Sequence, residues 1–267
     1  MKIILATDFS NQNKMLVPYA LDLLKATGGT IVLFHAYMDH FEVIDAKATA
    51  EEAMKQSMDY LHEEIRKQNL DHIEIIPKLL DGYPEQQLLH LTREIQPDLV
   101  LMGTRGRGSK GFLEGSMSKS LMSRSPVPLL SIHEEYKYKP NNEVLFVTNF
   151  DKDDASAITR VFNILKPYHL HVHVINFIMD GEPTKAAKQM KNLEETLKYM
   201  NLNGELRFRL IYNSNPRDAM KTYCEENLIS LAAFIPHRRH FWDLFFRDKV
   251  TKNDFFDLHI PLLTFQN

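Results

Sequence analysis

The stretch LVLMGTRGRGSKGFLEGSMSKSLMSRSPVPLLSI, residues 99–132, combines two apolar runs, a glycine-rich loop and a helical pattern. Four apolar residues predict a buried strand, and a loop with closely spaced glycines follows them. A Ser- and Lys-rich segment with a helical pattern comes next, and a second apolar run ends the stretch. Short apolar strands joined by helices are typical of a parallel sheet that is covered on both faces.

The residues before this stretch show the same alternation. Apolar runs of strand length are KIILAT, TIVLFHAY and HIEIIPKLL, and each precedes a longer amphipathic segment. Together with the opening stretch they predict five strands and four helices within residues 1–133. The sequence therefore indicates an α/β, doubly wound domain.

The same order begins again after the polar segment EEYKYKPNNE, which we interpret as a linker. EVLFVTNFDKDDAS resembles KIILATDFSNQNK, and LHVHVINFIMD resembles TIVLFHAYMD. We therefore predict two tandem domains, residues 1–135 and 142–267. Two similar open sheets in one chain are expected to pair as an intramolecular pseudo-dimer, through the apolar terminal strands 127–132 and 260–265.

Composition narrows the classes of function. The 267 residues are 44% hydrophobic and carry a net charge of -3, which offers no general attraction to nucleic acid or to an anionic membrane. No apolar run approaches the ~20 residues that span a bilayer, and the first residues lack a signal-peptide pattern, so we expect a cytoplasmic protein. The one cysteine, Cys224, is expected to be a packed thiol rather than a reactive one.

Ligands of open parallel sheets collect at the carboxyl ends of the strands. We expect three loops to meet there: the loop with Thr7 and Asp8 after strand one, the loop at Ala36 after strand two, and the glycine loop. Glycines allow backbone amides to approach phosphate oxygens, and a helix N-terminus favours an anion. Basic side chains in the glycine loop add positive charge; they are Arg105, Arg107 and Lys110.

The pattern alone leaves a second interpretation open, in which the glycine loop is only a turn and Ser116 only a helix cap. The loop does not match the P-loop, which ends in Gly-Lys-Ser/Thr, or the Rossmann fingerprint, which follows strand one.

The sequence resembles the universal stress protein family, as a tandem pair of domains. The resemblance rests on the combination of four motifs: ATDFS, LFHAY, DLVLMGTRGRG…EGS and SPVPLLSI. The resemblance implies an adenine nucleotide alpha-hydrolase-like fold with strand order 3-2-1-4-5. It also implies ATP binding through a Gly-x2-Gly-x9-Gly-Ser/Thr signature. In family members that bind ATP, an acid after strand one contacts the nucleoside, and a backbone group at the end of strand two contacts adenine. The implied cofactor site comprises Thr7, Asp8, Ala36, Met102, Gly103, Arg105, Gly106, Gly115, Ser116 and Met117.

Two departures from that signature matter. Eight residues separate Gly106 from Gly115, one fewer than the signature has, and neighbouring glycines offer one way to absorb the difference. In the second half Asn149 replaces the acid, and Asp248 stands where the signature has its last glycine. An aspartate at a helix start repels phosphate, so we expect ATP, with or without Mg²⁺, in the N-terminal domain only.

Several other residues carry weaker signals. His35 is expected to be a hydrogen-bonded residue at a strand end, and Asp39 and His40 lack the third ligand of a metal site, so we predict no metal and no catalytic residue. The basic and aromatic segment His237–Phe246 fits either packing or an anion surface.

The leading hypothesis is a protein that binds an adenine nucleotide and an unknown protein partner, and that is compatible with a further homodimer. Its stress-response or regulatory role is what the family resemblance implies. The alternatives are a scaffold of the same fold that needs no nucleotide and, less favoured, a slow ATP hydrolase.

Overall fold

In the computed structural model the chain divides into two compact units, Met1–Tyr138 and Lys139–Asn267. We call them the N-terminal unit and the C-terminal unit. The structure describes residues 1–10, 14–38, 45–103, 120–122, 124–133, 136–139, 142–151, 153–178, 183–236 and 260–266.

The N-terminal unit is a parallel sheet with strand order β3-β2-β1-β4-β5, as the family resemblance implied. Strand β1 lies between β2 and β4, so that Ile4 pairs with both Val32 and Val100. Of the helix predicted over 116–125, residues 120–122 and 124 are helical, and 116–119 and 123 lie outside the described part. The elements are β1 Lys2–Ala6, α1 Leu16–Leu24, β2 Gly29–Tyr37, α2 Ala46–Lys67, β3 Ile73–Asp81, α3 Pro84–Ile95, β4 Leu99–Gly103 and β5 Leu129–Ile132.

The C-terminal unit repeats this architecture. Its strands lie in the order β8-β7-β6-β9-β10, which is again third, second, first, fourth and fifth along the unit. The elements are β6 Glu143–Val147, α4 Asp154–Ile164, β7 Leu170–Ile178, α5 Pro183–Leu197, β8 Gly204–Tyr212, α6 Pro216–Glu226, β9 Leu231–Phe234 and β10 Leu262–Thr264.

The side-chain pattern explains which strands are central. In β1 and β4 consecutive apolar residues are buried, because helices cover both faces of a parallel sheet. The edge strand β8 alternates instead: Glu205, Arg207 and Arg209 are exposed, whereas Leu206 and Phe208 are partly covered. Proline begins helices α3, α5 and α6, where its fixed φ suits the first helical position.

The described helices do not include one that combines the length and the apolar composition needed to cross a membrane.

Candidate functional site

The candidate site begins with a tight turn after β1, residues 7–10. Phe9 has φ +60°, in the left-handed region, and its N–H donates to Thr7 Oγ1 at 2.9 Å. The N–H of Ser10 donates to Asp8 Oδ1, also at 2.9 Å. Short polar side chains that accept from the backbone two residues later are a common way to hold such a turn. Asp8 therefore has its backbone and one carboxylate oxygen fixed at the carboxyl end of β1.

Strand β2 anchors this turn from the side. The N–H of Thr7 donates to the Phe34 carbonyl at 2.9 Å, and His35 Nδ1 donates to the Thr7 carbonyl at 2.7 Å. The rings of Phe9 and His35 lie 4.2 Å apart between centroids. The prediction that His35 is a hydrogen-bonded residue at a strand end is confirmed. Because a carbonyl only accepts, Nδ1 of His35 carries a proton.

Three neighbouring strands end at the same edge as this turn. Ala6 of β1 pairs with Phe34 of β2 on one side and with Met102 of β4 on the other. Ala36 and Gly103 follow within two residues of those partners. The structure thus brings five predicted site residues to one edge of the sheet: Thr7, Asp8, Ala36, Met102 and Gly103.

The other predicted site residues are Arg105, Gly106, Gly115, Ser116 and Met117, and they lie outside the described residues, as does the segment 237–246.

The C-terminal unit has the same turn after β6. Strands β1 and β6 start 141 residues apart, and so do β2 and β7. At that offset Phe150 corresponds to Phe9 and has φ +59°, and its N–H donates to Thr148 Oγ1 at 2.6 Å. Thr148 N donates to Ile175 O at 2.9 Å, as Thr7 does to its strand. The turn is therefore a property of both halves of the repeat.

The residues at the strand ends beside the two turns differ in size. Phe177 occupies the position in β7 that Ala36 occupies in β2, and it is buried. Strands β4 and β9 start 132 residues apart, so Ile235 corresponds to Gly103, and it is buried as well. A large apolar side chain thus replaces a small residue at two strand ends in the C-terminal unit.

The structure also contains a polar network in the C-terminal unit that the sequence analysis missed. His173 of β7 is 1% exposed; its Nε2 lies 2.8 Å from Glu143 Oε2, and its Nδ1 lies 2.7 Å from the Tyr223 hydroxyl. His171 Nδ1 lies 2.6 Å from Glu143 Oε1. The alternation of histidines in HLHVHV was the available signal, because residues two apart share one face of a strand.

The surroundings shift the pKa values of two members of the network. Burial lowers the pKa of His173, although the neighbouring Glu143 carboxylate opposes that shift. Burial acts to raise the pKa of Glu143, but hydrogen bonds from His171 and His173 outweigh it and the pKa falls below its usual value. A neutral His173 ring satisfies both contacts, because Nε2–H donates to Glu143 while Nδ1 accepts from Tyr223.

Neither nucleophilic nor metal chemistry gains support from the described residues. Cys224 is buried, as predicted, and burial raises its pKa to about 12, which disfavours the reactive thiolate. Within the described ranges there is no group of three or more His, Cys, Asp or Glu side chains placed to hold a metal ion. Asp39 and His40 lie outside those ranges.

Comparisons with known proteins agree with the fold. The model of the universal stress protein family matches residues 1–133. A curated universal stress protein of Thermus aquaticus is 30% identical over 135 residues, which are 49% of this chain and 96% of that protein.

Two solved structures extend the likeness in fold over the whole chain. The crystal structure of a universal stress protein from Archaeoglobus fulgidus DSM 4304 has a TM-score of 0.70 and 16% identity, and the match covers 100% of this chain and 96% of that one. The cytoplasmic domain of a prokaryotic cation chloride cotransporter has a TM-score of 0.51 and 10% identity, over 98% of this chain and 94% of that one.

Proposed function

The chain belongs to the universal stress protein family, and on that premise we propose that its N-terminal unit binds an adenine nucleotide, ATP with or without Mg²⁺, in a cytoplasmic stress-response role. The nucleotide acts as a regulatory ligand that biases a conformation rather than as a rapidly consumed substrate. A ligand shifts such an equilibrium only through its differential affinity for the two states.

One observation carries this proposal. The ends of β2 and β4, beside the turn of residues 7–10, present the small residues Ala36 and Gly103, whereas the same positions of the C-terminal unit hold the buried Phe177 and Ile235. Small side chains at the carboxyl ends of neighbouring strands leave room for a ligand at the place where such sheets bind one. The asymmetry favours one nucleotide per chain, next to Asp8.

Isothermal titration of the nucleotide-stripped chain with ATP, ADP and AMP, each with and without Mg²⁺, tests the proposal. We expect a stoichiometry near one and loss of binding in Ala36→Phe, which introduces the residue of the C-terminal unit. The matched variant Phe177→Ala is expected to leave both affinity and stoichiometry unchanged. Absence of binding at millimolar ATP contradicts the proposal, and a stoichiometry near two contradicts its restriction to one unit.

The glycine signature is tested separately. Gly115→Asp places a carboxylate at the position that the family signature assigns to phosphate, and we expect it to weaken ATP binding much more than AMP binding. Equal weakening of both nucleotides would mean that this position does not face the phosphates. Phosphate release that disappears in the same variant would establish a slow hydrolysis.

A nucleotide-independent interaction protein is the second candidate function. The observation that favours it is the C-terminal unit itself, which keeps the fold and the turn while Phe177 and Ile235 fill the strand ends. The fold also occurs in the cytoplasmic domain of a transporter. Partner capture that is the same with and without ATP, and the same in Gly106→Val, would favour this function.

A further inference from the structure

A cavity lies beside the turn of residues 7–10, on the side of helices α1 and α2. Its volume is about 220 Å³, and we call it the turn–helix groove. Its floor is apolar, and the floor residues are buried: Leu5, Val17, Leu33 and Leu61. Drug-sized ligands occupy pockets of roughly 300–1,000 Å³, so this groove suits a smaller compound.

Two polar groups that line the groove have neither a hydrogen-bond partner nor a carboxylate partner among the described residues. Ser10 Oγ is shielded from solvent and has no hydrogen-bond partner among the described residues. Lys14 Nζ lies 5.3 Å from the centroid of the Tyr60 ring, and it has no carboxylate partner within the described part of the chain. A cation over an aromatic face is stabilised by the ring, and it keeps its hydrogen-bond donors available.

The two glutamates one helical turn after Tyr60 do not neutralise this lysine. Glu63 and Glu64 both pair with Lys67, with N···O distances of 2.9 Å. The charge of Lys14 is therefore not cancelled by the acids one turn further along the helix.

The corresponding groove of the C-terminal unit has the opposite charge. It lies between the turn after β6 and helices α4 and α5, and its volume is about 550 Å³. At the offset of 141 residues, Asp151 corresponds to Ser10 and Ala155 to Lys14, and both line that groove. The fold therefore does not require a lysine here, and its presence is specific to the N-terminal unit.

We propose that the turn–helix groove binds a small monocarboxylate with an apolar or aromatic body. The carboxylate accepts from Lys14 Nζ, and the body lies against the apolar floor. One lysine cation above an apolar floor balances the single negative charge of a carboxylate. The further charges of a phosphate would remain uncompensated in the same place. The groove shares Thr7 with the predicted nucleotide site, but none of its other lining residues belongs to that site, and the proposal does not depend on the proposed function.

The test uses benzoate as the probe and the full chain labelled with ¹⁵N. Titration followed by amide chemical shifts is expected to move the signals of Ser10, Lys14, Ser57 and Tyr60, with saturation. Removing the charge in Lys14→Ala, which copies the C-terminal unit, weakens benzoate binding by about tenfold or more, whereas Lys14→Arg stays within about threefold. Benzamide, which has the same shape but no charge, binds at least about tenfold more weakly than benzoate.

Three outcomes would overturn the proposal. They are benzoate binding that is unchanged in Lys14→Ala, benzamide binding as strong as that of benzoate, and shifts that fall outside the groove or are absent. If Lys14→Ala alters the spectrum of the free protein, then Lys14→Arg and benzamide decide the question. Saturating ATP is expected to leave benzoate affinity unchanged; displacement by ATP would place the groove within the nucleotide site and contradict a separate one.

Discussion

His173 is a titratable side chain in the interior of the C-terminal unit. It is buried in a strand, and its two ring nitrogens contact Glu143 and Tyr223. Burial lowers its pKa in the folded chain, whereas in the unfolded chain the pKa returns to about 6.5. Below that pH the unfolded state therefore binds a proton that the folded state does not, and the free energy of unfolding falls as the pH decreases.

Urea unfolding at pH 7.5 and at pH 5.5 measures this effect. We expect lower stability at pH 5.5, and a smaller difference between the two values in His173→Gln, which retains hydrogen bonding without titrating. His171 remains in that variant, and so do Arg207 and Arg209, whose charges also act on His173. An unchanged pH dependence in His173→Gln would show that His173 does not carry the effect.

At the scale of the element, the turns after β1 and β6 form a matched pair. Thr7 Oγ1 accepts from the N–H of Phe9, and Thr148 Oγ1 accepts from that of Phe150. The Thr148 hydroxyl also donates to the buried carboxylate of Asp154. We expect Thr7→Val to lower the free energy of unfolding by about 1 kcal/mol, and Thr148→Val by about 2–3 kcal/mol, because the second leaves a buried charge short of a donor. Urea unfolding measures the free energy of unfolding of both variants. Equal losses in the two variants would contradict the larger effect expected for Thr148→Val.

Strand β8 begins at a glycine whose backbone leaves no room for a side chain. Gly204 has φ +152°, and a Cβ there would lie 2.0 Å from the backbone oxygen of Leu170. At Gly82, with φ +127°, the nearest atom is Nε2 of the flexible Gln87 side chain, at 2.7 Å. We expect Gly204→Ala to cost about 3 kcal/mol or more of stability and Gly82→Ala about 1–2 kcal/mol. Thermal unfolding measures the loss of stability in both variants. A smaller loss in Gly204→Ala than in Gly82→Ala would contradict this prediction.

These elements also show what the sequence could predict. Most strands were predictable because they are short apolar runs, whereas β8 alternates charged and apolar residues and lacks that signal. The turn residues were visible in the paired motifs ATDFS and VTNFD. The conformation of the turn was not, because a phenylalanine at positive φ opposes its local preference and is held by hydrogen bonds and by the His35 ring. The turn–helix groove joins residues from β1, α1 and α2, which no local pattern connects.

For the whole molecule, the repeat separates what the fold requires from what each half has acquired. Both units keep the strand order and the turn, so these features belong to the fold. Small residues at the strand ends and Lys14 occur in the N-terminal unit, whereas Phe177, Ile235 and the histidine network occur in the C-terminal unit. Family membership therefore describes the architecture of both halves, and function has to be argued for each half from its own residues.

The separation leads to a prediction about isolated halves. An alignment of 135 residues covers 96% of the relative from Thermus aquaticus. That relative is therefore a protein of about the length of one unit of this chain. We expect the fragment of residues 1–138 to unfold cooperatively on its own, and ATP to raise its melting temperature, because a ligand that binds only the folded state stabilises it.

The fragment of residues 139–267 is the matched control. We expect ATP to leave its melting temperature unchanged, because Phe177 and Ile235 occupy the strand ends. Differential scanning calorimetry of both fragments with and without Mg²⁺-ATP makes the measurement, with Ala36→Phe in the first fragment as the loss-of-binding variant. Stabilisation of the second fragment, or of the Ala36→Phe variant, would mean that small residues at these strand ends do not determine where the nucleotide binds.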